Sequence, residues 1–262
     1  MPIDPTILSS KENGILTLML NRPRALNSFN GEMAECFLEH FESARSDESV
    51  RVVVLKASGD VFCAGQDLKE ALSMGDGHDL AEYVRARYNP MVIALRSIEK
   101  PVVCAVQGPV IGAGTNIALA CDIVVASETA TFTQGFGKIG LIPDSGGTFF
   151  LPRLIGLPRA AAYMMLHDEI RAKDAAEMGM IYEAVPAGKL TTRVDAIATQ
   201  LATQPTRAFG LTKRALYLSY GNTLEEQLEI EAELQSEAGK THDFKEGVSA
   251  FVEKRSPQFT GK

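Results

Sequence analysis

One carboxylate in an otherwise uncharged run, and two glycine-bearing junctions ahead of it, hold most of the chemistry legible in this chain. Asp144 stands in Gly140-Leu141-Ile142-Pro143-Asp144-Ser145-Gly146-Gly147-Thr148, where apolar neighbours disfavour a charged carboxyl and raise its pKa. A carboxyl tuned upward can take a proton and return it near neutral pH. The junctions are Phe62-Cys63-Ala64-Gly65-Gln66-Asp67-Leu68 and Gly112-Ala113-Gly114-Thr115. Each follows a strand-like run and opens a helix, which leaves backbone N–H groups free to grip a developing oxyanion. Small side chains at 112–114 let a substrate approach the main chain closely. Together these segments point to proton transfer beside a stabilised enolate. Each also has a plainer reading: packed turns for the junctions, and for Asp144 a helix cap ahead of Gly147.

Other chemistries fit less well. Gly112-Ala113-Gly114 is no dinucleotide fingerprint, because the third glycine would fall at Ile117, and no Gly-Lys-Ser/Thr follows to make a P-loop. Asp144-Ser145-Gly146-Gly147 matches the string around the nucleophile of trypsin-like proteases, yet those proteins are all-β and disulfide-bearing. None of the four histidines, His40, His78, His167 and His242, has the context of a catalytic base. The four cysteines, Cys36, Cys63, Cys104 and Cys121, show no C-x-x-C spacing, and three lie in apolar surroundings. Neither a disulfide framework nor a metal site is indicated. A formal charge of −7 argues against a nucleic-acid surface. No run approaches the ~20 apolar residues of a membrane helix, and residues 1–5 have no signal-peptide character, so a cytoplasmic protein is expected.

The elements that must position these groups alternate. Residues 14–20 and 50–56 are strand-length apolar runs flanking a helix-periodic segment at 33–44. Residues 101–106 read as a buried strand, 111–120 as a small-residue helix and 122–126 as the next strand, which is an α/β pattern. Beyond Ala187 the strands stop. Segments 190–201, 207–220, 224–237 and 244–251 read as amphipathic helices, the third with a Thr223-x-x-Glu226 capping box. Such a helical region either closes its own core or packs on another subunit.

Asn21-Arg22-Pro23-Arg24-Ala25-Leu26-Asn27, the 62–68 and 112–122 segments, 132–148 and Glu246-Gly247-Val248-Ser249-Ala250-Phe251, in this order and spacing, resemble the crotonase family, also called enoyl-CoA hydratase/isomerase. The resemblance runs from about Gly14 to the end. It implies a spiral of repeated ββα units as catalytic core, here residues 1–195, and a helical trimerisation region, residues 196–262, with assembly as a homotrimer or homohexamer. It implies acyl-CoA thioester substrates, with coenzyme A part of the substrate and no separate cofactor. It puts the oxyanion N–H donors on Gln66 and Ala113 and the base on Asp144. Arg24, Ala25, Leu26, Ala64, Asp67 and Leu68 match positions lining the coenzyme A cleft, with Gly112, Gly114, Asn116 and Phe136 at the acyl end. Phe251 and Lys254 match positions that close over the nucleotide.

Family hydratases carry two glutamates where this chain has Asn116 and Phe136, neither of which can act as a base. The expected activity is therefore acyl-CoA isomerisation by a single carboxylate, with Asn116 orienting substrate or Asp144 without ionising. Further stretches, Arg87-Tyr88-Asn89-Pro90 and residues 201–206 and 255–262, are similar to a family branch acting on an aromatic-ring epoxide thioester and on β,γ-enoyl-CoA. Tyr83, Tyr88, Phe136 and the segment around Met74 offer an aromatic-accepting pocket, or simply core packing. Hydration, dehalogenation, thioester hydrolysis and a catalytically silent acyl-CoA-binding subunit are the alternatives.

Overall fold

The computed structural model describes residues 5–73 and 79–262. Met74 and His78 lie outside the described residues. Strands β1 (Ile7–Glu12) and β2 (Ile15–Leu20) form a hairpin over Asn13-Gly14, whose φ values of 50° and 79° suit that pair. There follow α1 (Gly31–Ser46), β3 (Val52–Ala57), α2 (Leu68–Ser73), α3 (Leu80–Tyr83), a π-helical turn (Val84–Tyr88) and α4 (Asn89–Ser97). Then come β4 (Val102–Val106), β5 (Val110–Ile111), α5 (Ala113–Leu119), β6 (Ile123–Ser127), β7 (Thr131–Thr133), α6 (Gly147–Ile155) and α7 (Leu157–Leu166). The remainder is β8 (Glu169–Arg171), α8 (Ala172–Glu177), β9 (Glu183–Val185), α9 (Leu190–Ala202), α10 (Thr206–Leu218), α11 (Leu224–Ala238) and α12 (His242–Glu253).

A six-stranded sheet runs β1-β2-β3-β4-β6-β9, parallel from β2 onward, and a second, three-stranded sheet runs β5-β7-β8. Isolated parallel bridges, Phe29 to Gln66 and Cys63 to Val110, extend the second layer toward the N-terminus. The chain thus winds in turns: a strand of the large sheet, a short extended piece in the second layer, then a helix. The turns are β2 with Phe29 and α1, β3 with the 62–66 segment and α2, β4 with β5 and α5, and β6 with β7 and α6. This is the expected α/β spiral of ββα units.

The alternation of the central strands divides the core in two. Val53, Leu55, Val102, Cys104, Val106, Val124 and Ala126 face the main core under α1, α4 and α5. Val52, Val54, Val103, Ala105 and Val125 face Val194, Ile197, Ala198 and Ala202 of α9. Both faces are apolar because both are covered, which is why these strands read as continuous hydrophobic runs. Residue 195, the expected end of the core, falls inside α9, which lies on the sheet along both halves of its length. The Thr223–Glu226 capping box opens α11 as the sequence indicates. The short strands β5, β7, β8 and β9 are additions to the sequence reading, and Ile111, expected in a helix, pairs instead with Thr133. Strands of two or three residues are too short to display alternation.

Candidate active site

The 62–67 segment is stitched on both sides. Phe29 N–H donates to Gly65 O at 2.7 Å and Asp67 N–H to Phe29 O at 2.9 Å, while Ile111 N–H donates to Cys63 O at 2.9 Å. Since alternate peptide groups of an extended chain point to opposite edges, the bonds of residues 65 and 67 to Phe29 turn the Gln66 N–H toward the 111–113 side. There the main chains nearly touch: a Cβ on Gly65 would lie 3.0 Å from Ile111 O and 3.5 Å from Ala113 N. Gly65 has φ of 87°, so glycine is required twice over. Gly114 is equally constrained, its absent Cβ falling 2.7 Å from Cys63 O and 2.8 Å from Cys63 Sγ. Burial pushes the Cys63 thiol up to about 12, so it stays a neutral packing group.

Among the described residues neither Gln66 N–H nor Ala113 N–H has a hydrogen-bond acceptor, although Ala113 is buried. Gly112, with φ of 55°, anchors the start of α5 by donating to Thr133 O at 2.8 Å. Thr115 Oγ1 donates to Val110 O at 3.0 Å. The Phe136 ring covers this turn, 3.6 Å from where a Gly112 Cβ would be. Two unpaired amides, carried on chain segments that meet at Gly65, can receive a carbonyl oxygen, with the Phe136 ring beside Gly112.

Asn116 lies one helical turn beyond Ala113 on the same face of α5. Its Nδ2 donates to the main-chain oxygen of Asp144 at 2.8 Å, and its Oδ1 accepts from Gln134 Nε2 at 2.7 Å. Asn116 thus ties the Asp144 loop to the helix that carries the Ala113 amide. Ser145 and Gly146 follow in left-handed conformation, φ 50° and 79°. Asp144 does not use its side chain to cap α6; Gly146 holds the N-cap position without a side-chain bond, and Gly147 N–H donates to Asp144 O at 2.9 Å. The Asp144 carboxyl instead accepts from Ser145 Oγ at 2.8 Å. Burial pushes its pKa up, opposed by the Ser145 hydroxyl and its own amide. No described histidine is hydrogen-bonded to Ser145, so nothing there activates a serine nucleophile.

Arg24, Ala25 and Leu26 form a tight turn joined to the first junction by Ala64 N–H donating to Leu26 O at 3.0 Å. Arg24, Leu26 and Leu68 are exposed there. Asp67 caps α2 through Lys69 N–H at 3.1 Å and pairs with Arg22 at 2.8 Å. Burial works against its charge, but Arg22 and the α2 amides hold the carboxyl below the ordinary range. Sequence reasoning quoted Arg22 and Asn27 within the family-like motif, and Gln134 within 132–148, without giving any of them a role. Asn27 is fully buried and donates to both Ser58 O and Val61 O at 2.8 Å, locking the two loops together. Its signal was an Asn beside a turn, where left-handed φ (53°) is tolerated.

Phe251 and Lys254 are not brought to this cluster by contacts within the chain. Helix α12 lines a surface groove together with Pro205, Ala208 and Ala238, and its Gly247 faces the Phe259 ring of the tail. That tail docks on Arg51, whose Nη1 donates to Phe259 O at 3.0 Å, at the start of β3. Gln66 follows the other end of that strand, which is about 20 Å long from Arg51 at ~3.3 Å per residue. Phe251 is 86% exposed. Tyr88 is buried and its hydroxyl has no partner among the described residues, while Tyr83 lies under the Arg87 guanidinium at 4.5 Å.

Residues 10–262 match the enoyl-CoA hydratase/isomerase family, and the chain belongs to it, an enzyme family of acyl-CoA thioesters. Among individual relatives, the chain is 46% identical to a 1,2-epoxyphenylacetyl-CoA isomerase of Escherichia coli K12, over 98% of each chain. It is 38% identical to a trans-2-decenoyl-[acyl-carrier-protein] isomerase of Streptococcus mutans, again over 98% of both. An enoyl-CoA hydratase from Bacillus anthracis superposes with a TM-score of 0.91 at 31% identity, covering 98% of this chain and 100% of that one. Among the described residues no helix is long and apolar enough to cross a membrane.

Proposed function

We propose that the chain is an acyl-CoA isomerase that converts 1,2-epoxyphenylacetyl-CoA to its oxepin form and also moves the double bond of β,γ-enoyl-CoA by single-carboxylate proton transfer. The supporting observation is one half-buried carboxyl of raised pKa, Asp144, tied through Asn116 to the helix whose first amide is unpaired. In a β,γ-enoyl-CoA, the Asp144 carboxylate removes a proton from the α-carbon. The electron pair spreads over the dienolate, and its charge on the thioester oxygen is held by the Gln66 and Ala113 N–H groups. The protonated Asp144 then delivers the proton to the γ-carbon, giving the α,β-unsaturated thioester. Every step uses the chain and the substrate alone, and coenzyme A arrives as part of the latter.

Hydration would need a second ionisable group to activate water, and the side chains at the positions in question are an amide and a phenyl ring. Exposed apolar residues of the C-terminal helices, Leu224 (69%) and Val252 (73%) among them, favour assembly into the trimers or hexamers implied by the family resemblance. Asp144→Asn tests the base. It should abolish conversion of β,γ-enoyl-CoA, followed at the enoyl-thioester absorbance, while acyl-CoA binding persists. Near-normal turnover would remove Asp144 from the scheme, and a loss of that absorbance with α,β-enoyl-CoA and wild-type protein would point to hydration.

A further inference from the structure

We propose that Gln134 and Asn116 form a buried positioning relay that aims the Asp144 carboxyl. The inference rests on Asp144 being the base. Both side chains are fully buried, at 0% exposure, and neither carries charge. The chemistry of the groups fixes their orientation. A main-chain carbonyl oxygen only accepts, so Asn116 must turn Nδ2 to Asp144 O, at 2.8 Å. Its Oδ1 then faces Gln134, which must present Nε2, at 2.7 Å.

Three features make this a built contact. A Cβ on Gly147 would lie 2.4 Å from Asn116 Nδ2, so a glycine is required where the relay meets the loop. The two residues after Asp144 are both left-handed, and Ser145 at φ 50° is a conformation a non-glycine residue keeps only when its surroundings hold it. Gln134 Oε1 has no partner among the described residues. A buried glutamine with one end unsatisfied earns its place through the bond at its other end. The relay also links the two halves of the reaction. Asn116 and Ala113 are one turn apart on α5, so the helix that presents one oxyanion amide also sets where the base stands. Gln134 follows directly after β7, whose Phe132 and Thr133 pair with Val110 and Ile111. The carboxyl is thereby referred to the same ladder that positions the amides.

Gln134→Met keeps the side-chain volume and removes the donor. The expected result is a kcat at least tenfold lower for β,γ-enoyl-CoA isomerisation, with KM and acyl-CoA Kd within threefold of wild type. Asn116→Leu should lower kcat by at least as much. In the double variant Gln134→Met should add nothing further, because its effect passes through Asn116. A kcat within twofold of wild type in folded Gln134→Met would overturn the relay. So would kcat and KM worsening by one common factor, or two losses that multiply in the double variant. If Gln134→Met does not fold, Asn116→Leu with unaltered kcat overturns it instead. Asp144→Asn assayed alongside separates the two ideas: an inactive Asp144→Asn with a normal Gln134→Met removes the relay alone, and turnover surviving Asp144→Asn removes base and relay together.

Discussion

Gly114→Ala is the smallest change that bears on the oxyanion amides. At an ordinary position in a helix, alanine is favoured over glycine by about 1 kcal/mol. Here the added Cβ would meet Cys63 O at 2.7 Å and Cys63 Cβ and Sγ at 2.8 Å. Backbone and a fully buried side chain cannot swing aside, and ordinary carbon contacts begin at about 3.4 Å or more. The start of α5 and the 62–66 segment must therefore separate by roughly half an ångström. Overpacking of this kind costs about 1–3 kcal/mol, partly offset by the gain in helix propensity, so the protein should remain folded with a modestly lower Tm. Catalysis is less tolerant. Oxyanion donors act over 2.7–3.1 Å, and loss of one typically costs about 2.7–4 kcal/mol, or 10²–10³ in kcat. Gly114→Ala is accordingly expected to lower kcat by about 10²-fold, with a much smaller change in KM. The assay is β,γ-enoyl-CoA isomerisation followed at the enoyl-thioester band, with thermal melting in parallel. Gly188→Ala, where an added Cβ meets nothing within 4 Å, is the control and should change neither. A folded Gly114→Ala protein with kcat within threefold of wild type would refute the placing of the oxyanion between these two chain segments.

Asp144→Asn should raise Tm at pH 7 by calorimetry and leave it unchanged near pH 3.5. Burial raises the folded pKa above the unfolded value of about 3.9, so stability is lost as pH rises through that window and the cost is fully present at neutrality. A Tm at pH 7 equal to or below wild type would contradict this. The same raised pKa moves the acidic limb of kcat/KM above the range of an ordinary carboxylate, since a protonated Asp144 cannot accept a proton. Ser145→Ala removes the hydroxyl that holds the pKa down, so that limb should move to still higher pH with the plateau within threefold of wild type. A limb that stays put or moves down would show that the hydroxyl does not act on the carboxyl.

What the sequence disclosed follows from how far each signal reaches along the chain. Strands β3, β4 and β6 are apolar on both faces over five or six residues, and the C-terminal helices carry period and caps, so local pattern was enough for them. Strand β5 has two residues, and its existence depends on β7 twenty positions away. The site divides the same way. Glycines at 65 and 114 mark close main-chain approach and Gly112 a positive φ, but which chains approach is decided by the ladder joining Cys63 to Val110. Phe251 and Lys254 were placed by resemblance to the family, and local pattern says nothing of the end of the sheet where the tail after α12 meets Arg51.

Asn116 shows how much a residue type says without its partners. Read from sequence, it stands where a hydratase has a glutamate and is expected to orient substrate or Asp144 without ionising. In the fold both ends of its amide are engaged, one on Gln134 and the other on the Asp144 carbonyl. A carboxylate in its place could accept from Gln134 but could not donate to Asp144 O. Restoring a second acid at this position would unmake the contact that holds the first. The proposed one-base chemistry thus draws on the contacts made by residue 116 as well as on the residue type itself.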